Sequence, residues 1–148
     1  MTTVLMNTPN DLPNWHQLNA ALFCGPAAAG EHPIAQLACA LAKLHRKRWT
    51  IYRPMVAAQR RRGLVDAIDG WIVNNLGTAT HSVPLSVGAL VDEMTRAGAR
   101  ARKLLATTDP AGDAVHAAWT ACAALADQWT DLITHIPIRY ELSTAGAH

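Results

Sequence analysis

Carboxylates are missing altogether between Glu31 and Asp66. That stretch instead holds Lys43, Arg46, Lys47, Arg48, Arg53, Arg60, Arg61 and Arg62, which are 8 of the 13 basic residues. Because the whole chain carries only +2, the remainder is acidic and the protein is polarised rather than uniformly basic. Such an asymmetry provides a face for an anionic partner. Cysteine is scarce: Cys24, Cys39 and Cys122 are odd in number and share no metal-type spacing, so they read as reduced thiols of a cytoplasmic protein. No apolar run approaches the ~20 residues that span a bilayer. Met1 to Phe23 has no basic segment followed by an apolar core, so neither secretion nor membrane insertion is expected. Charged residues make up 16% and apolar residues 50% of the chain, a balance that excludes disorder and suits a packed domain. Its 148 residues fit one domain with a sizeable core.

Alternating strand patterns are also lacking. Ala, Leu and Arg favour helix, and the periodic stretches are separated by Gly and Pro. Ala reaches 28 and Arg outnumbers Lys ten to three, a bias that GC-rich coding produces, as in a high-GC bacterium or its phage. A short helix is expected over Asn14 to Phe23, within an N-terminal segment 1–31. A second starts at Pro33 and runs to about Tyr52, with Ile34, Leu37, Ala38, Leu41, Leu44, Arg48 and Tyr52 on one side. A third covers Met55 to Leu76, with an inner stripe of Ala57, Arg61, Leu64, Ile68, Trp71 and Asn75. Ser82 and Pro84 open a fourth, whose inner stripe is Val87, Leu90, Val91, Met94, Ala97, Gly98, Ala101 and Leu105. Asp109-Pro110 opens a fifth, striped by Val115, Ala118, Cys122, Leu125, Trp129, Leu132 and Ile136 and ended by Pro137. Residues 137–148 are expected to form a flexible tail. The fold class is all-α: an antiparallel up-down four-helix bundle with an additional short N-terminal helix, in one domain. Trp71, Trp119 and Trp129 fall at core spacing, while Trp49 lies nearer an edge.

Three segments resemble a known family. They are Leu44-His45-Arg46-Lys47-Arg48-Trp49-Thr50-Ile51-Tyr52, then Gln59 through Ile72, then His81-Ser82-Val83-Pro84-Leu85-Ser86-Val87-Gly88-Ala89-Leu90-Val91-Asp92-Glu93-Met94. The last is similar to a Ser-x-Gly-x-x-(Val/Ile)-Asp helix start. Together they resemble the uncharacterised helical bacterial family called domain of unknown function 4254, as a short divergent member. The resemblance implies a helical fold. This chain departs from the family by carrying Arg48 and Arg62 where its members have Asn, and Pro54 where they are acidic. A polar site of longer relatives would be re-charged here.

Catalytic signatures are absent: no Gly-x-Ser-x-Gly, phosphate-binding loop, Cys-His pairing or Gly-rich dinucleotide turn occurs. Helical pyrophosphatases need paired carboxylates to hold magnesium. Asp66-x-x-Asp69 has that spacing, but helical phase turns both away from the stripe, towards solvent. Asp92 is placed to pair with Arg96 on the outside of its helix. Asp127, Asp131 and His135 follow at i, i+4 and i+8 on a face opposite the core, and no second helix supplies further ligands. No metal or cofactor is expected.

His45, Arg48, Tyr52 and Arg61 are polar yet lie on or beside apolar stripes, so each needs a partner. Two readings are open. One is a structural network that locks helix register; the other is a small anion pocket, joined by Gln59 and His81. Arg46, Lys47, Arg60 and Arg62 point outward near the turn between the second and third helices, beside Trp49. Clustered cations suit an acidic protein surface, a second copy of the chain in a homodimer, or the phosphates of a nucleic acid. The expected function is therefore non-enzymatic binding, first of all to a protein with an acidic surface. A bacterial or phage-encoded regulator of a host protein would fit, with sequence-independent nucleic-acid binding or a small anionic ligand or enzyme site as the alternatives.

Overall fold

A computed structural model describes residues 12–24, 30–46, 52–76 and 86–146, with the side chains of Cys24, Leu76 and 135–146 excepted. Five helices account for nearly all of them: α1 (Trp15–Cys24), α2 (Pro33–Arg46), α3 (Pro54–Leu76), α4 (Val87–Thr107) and α5 (Asp113–Gly146). No strand occurs among the described residues, so the chain is all-helical. Among them, too, no helix is long and apolar enough to cross a membrane.

Each start has an identifiable cause. Asn14 and Gln17 cap α1 reciprocally: Asn14 Oδ1 accepts from the Gln17 amide and Gln17 Oε1 accepts from the Asn14 amide, both at 2.9 Å. Pro33 and Pro54 open α2 and α3, where a missing N–H costs nothing. The fourth helix begins at Val87, later than Ser82 and Pro84 suggested, because Ser86 is its cap and accepts from the Ala89 amide at 2.9 Å. Asp109-Pro110 forms a turn rather than a helix start: Asp109 Oδ1 takes the Ala111 amide and its carbonyl takes that of Gly112. The fifth helix then runs past Pro137 to Gly146 instead of stopping there. A proline removes one ladder bond and crowds the carbonyl four residues earlier, yet the helix continues through Pro137 without a break.

The core follows the expected stripes closely. Ile34, Ala38 and Leu41 of α2, Ile68 of α3, Val91 of α4 and Trp129 of α5 are fully buried, joined by Leu18 of α1. Ile72, unassigned from the sequence, is buried as well. Three expectations are corrected. Tyr52 is 72% exposed, standing just ahead of Pro54 at the head of α3. Leu105, near the end of α4, is 43% exposed. Trp119 is 39% exposed rather than core, its ring facing Phe23 at 6.3 Å between centroids.

In space α4 is central: it packs against α5, α3, α2 and α1. The first helix lies against α2, α4 and α5, and the Trp129 indole donates to the Pro13 carbonyl at 3.0 Å, tying the start of α1 to the middle of α5. Gly88 packs directly against the α3 backbone at Val65. A Cβ there would overlap the Val65 carbonyl oxygen, so only glycine fits.

Candidate functional site

The polar residues of the three helices that meet near the α2–α3 corner converge on one carboxylate. Asp92 is 4% exposed. The His45 Nε2 lies 2.8 Å from its Oδ1, and Arg61 Nη1 donates to its Oδ2 at 3.0 Å. Arg96, one turn further along α4, approaches Oδ2 at 3.7 Å and Glu93 at 3.6 Å. This corrects the expected outward pairing of Asp92 with Arg96 alone. Asp92 sits on the flank of α4 shared with Gly88 and Thr95, and there it faces α2 and α3. Burial pushes its carboxyl group up. The hydrogen bonds and charges of His45 and Arg61 outweigh burial and hold it below the usual carboxylate value.

A second carboxylate closes the same helix pair. Asp69 of α3 accepts the Ser86 hydroxyl at 2.6 Å and the Gly88 amide at 2.8 Å, so it serves the N-terminus of α4. The solvated role expected for it is thus wrong, whereas Asp66 is exposed as expected. Asp69, Ser86, Gly88 and Asp92 together align one face of α3 with the first two turns of α4. Sequence phase alone missed this, because the contact of Gly88 with the α3 backbone shows only in the fold.

The remaining candidates divide. His45 and Arg61 come together through Asp92, and with Arg96, Leu44, Pro54, Ala57 and Ala58 they line an open cleft of about 270 Å³. Gln59 is exposed, and Tyr52 points to solvent rather than inward. Arg48 and His81 lie outside the described residues, as do Lys47 and Trp49. Arg46, Arg60 and Arg62 are exposed. Arg46 is nevertheless tied down: its Nη1 donates to the Leu22 carbonyl at 3.0 Å, where the end of α1 crosses α2. It therefore has a structural duty that an outward charge would lack. Beside these cations, the head of α3 exposes Met55 (80%) and Val56 (37%), with Arg53 also exposed.

Among the described residues no group of three His, Cys, Asp or Glu is arranged to hold a metal ion. Asp127 and Asp131 are exposed on α5, and the His135 side chain is outside the description. Cys39 is a buried free thiol, and Cys122 is a free thiol whose pKa burial pushes up, away from the thiolate that a nucleophile needs. In comparisons with protein-family models, curated proteins and solved structures, none matches this chain.

Proposed function

We propose that the protein is a non-enzymatic helical binding module whose partner is a protein with an acidic surface, engaged at the basic corner where α2 gives way to α3. The observation that carries this reading is the mixture exposed at the head of α3. Tyr52, Met55 and Val56 stand in the open among Arg53, Arg60 and Arg62, in a stretch with no carboxylate. Tyr, Met and Arg are the residue types that protein interfaces concentrate, and arginine adds bidentate contacts to carboxylates. Lys47 and Trp49 belong to the same region of sequence. His45, Arg61 and Asp92 are read as the structural tie that holds this corner in shape, since one carboxylate meets both side chains.

The rest of the reading follows the sequence. Helices α2 to α5 form an antiparallel up-down bundle with α1 packed across it, a topology supported by their short connections and by the neighbours of α4. The chain is a short divergent member of the domain of unknown function 4254 family. In support, the three resembling segments supply the members of two bonded clusters, His45 and Arg61 on Asp92, and Ser86 and Gly88 on Asp69. The free thiols of Cys39 and Cys122 suit the cytoplasm of a bacterium or its phage host.

The test places a photo-crosslinking amino acid at Met55 and identifies the adduct in cells. The expected adduct is an acidic protein, lost when Arg53, Arg60 and Arg62 are changed to Glu. A self-adduct matched by a dimer in sedimentation would make the partner a second copy. A gel shift at low salt together with no protein adduct would replace the reading by nucleic-acid binding.

A further inference from the structure

A second concavity lies away from the basic corner, between α1, α4 and α5. Its volume is about 310 Å³, at the lower end of the range that small-molecule sites occupy. Three aromatic rings wall it: Trp15 and Phe23 from α1 and Trp119 from α5. Met94 and Gly98 of α4 also line it, and Gly98 matters because a Cβ there would stand 2.8 Å from the Phe23 ring and displace it.

The charged groups near this concavity differ in place: a carboxylate, Asp127, stands in its wall and a guanidinium, Arg102, at its rim. Among the described residues Asp127 lines the concavity, and no Lys, Arg or His does. The aromatic faces carry partial negative charge, and one is already used in this way: the Arg102 guanidinium sits 5.3 Å from the centroid of Phe23. Arg102 is held at the rim by donating to the Phe23 carbonyl at 3.3 Å, so it is not a wall of the cavity. Aromatic walls combined with the Asp127 carboxylate disfavour an anionic or purely polar ligand. They complement an organic cation.

From this geometry we infer that the α1–α4–α5 cavity is a binding site for a small aromatic or alkyl ammonium compound, its apolar body against Trp15, Phe23 and Trp119 and its cationic head towards Asp127. The site is independent of the protein-binding corner and asks nothing of it.

The probe is benzyltrimethylammonium, set against its uncharged isostere neopentylbenzene, with the full-length chain. Binding is followed by saturation-transfer NMR and by the rate at which iodoacetamide alkylates Cys122, resolved from Cys24 and Cys39 by peptide mass spectrometry. Alkylation is run at about pH 9 because the thiolate is the nucleophile. Saturable binding that slows Cys122 alkylation at least threefold is expected. Asp127→Asn should weaken the cation about five- to tenfold and leave the neutral isostere unchanged, since an ammonium head partly screened by water gains only part of a buried pair. Ala123→Phe, at an exposed wall position, should block both compounds while preserving the thermal melt. Equal affinity for cation and isostere, binding that leaves Cys122 unprotected, or no saturation at about 10 mM probe would each overturn the assignment.

Discussion

Replacing Asp92 by alanine removes the acceptor that His45 reaches at 2.8 Å and Arg61 at 3.0 Å. Both partners then remain at a three-helix junction, with side chains 12% and 38% exposed respectively. Removing one member of a wholly buried ion pair costs about 3–5 kcal/mol. Arg61 can turn to water and recover part of its solvation, so the loss is smaller, about 2–3 kcal/mol. For a chain of this size each kcal/mol moves Tm by roughly 2–4 °C, which places Asp92→Ala about 5–10 °C below the parent. Circular dichroism melts and urea titrations at pH 7 measure it. A double-mutant cycle with His45→Ala should show positive coupling, because the two changes remove one contact between them. The carboxyl also ties stability to pH. Its folded pKa lies below the unfolded one, so its contribution is complete above the ordinary carboxylate range and is lost as pH falls through and below about 4. Asp92→Asn should flatten that part of the acid limb. A loss under about 0.5 kcal/mol for Asp92→Ala, the range of an ordinary surface change, would refute the argument that this carboxylate joins the helices.

Two glycines of similar helical setting should respond in opposite ways. Gly88→Ala pushes a Cβ into the Val65 backbone carbonyl, which cannot yield as a side chain would, and should cost at least about 2 kcal/mol in a urea titration. Gly63→Ala meets nothing within 4 Å and should stabilise α3 by about 0.5–1 kcal/mol. Trp129→Phe leaves the Pro13 carbonyl without its indole donor and opens space at a fully buried position. A loss of about 2–3 kcal/mol is expected, measured by the same titration.

Helix positions and core stripes were legible because three- and four-residue spacing is set locally. Ile34, Ala38, Leu41, Ile68, Val91 and Trp129 fell on the correct faces for that reason. Boundaries were less so: Ser86 could be recognised as a cap only from its bond to the Ala89 amide. Polar residues were hardest. Phase marked His45 and Arg61 as needing partners, yet it turned Asp92 outward, whereas the packing of α2 and α3 against α4 buries it. Arg46 illustrates the reverse: it is exposed by phase and in the fold, but a backbone carbonyl 24 positions away holds its guanidinium. Such long-range pairings leave no trace in periodicity.

The functional account rests on the basic, partly apolar surface at the head of α3. Its most direct test is a binding titration of the Met55-crosslinked partner against the parent chain and against the Arg53→Glu, Arg60→Glu, Arg62→Glu variant, at low and at physiological salt. The account predicts an acidic partner whose affinity falls at least tenfold in the variant and weakens with salt in the parent, while the melt of the variant stays within a few degrees of the parent. Affinity unchanged by reversing all three charges would contradict it.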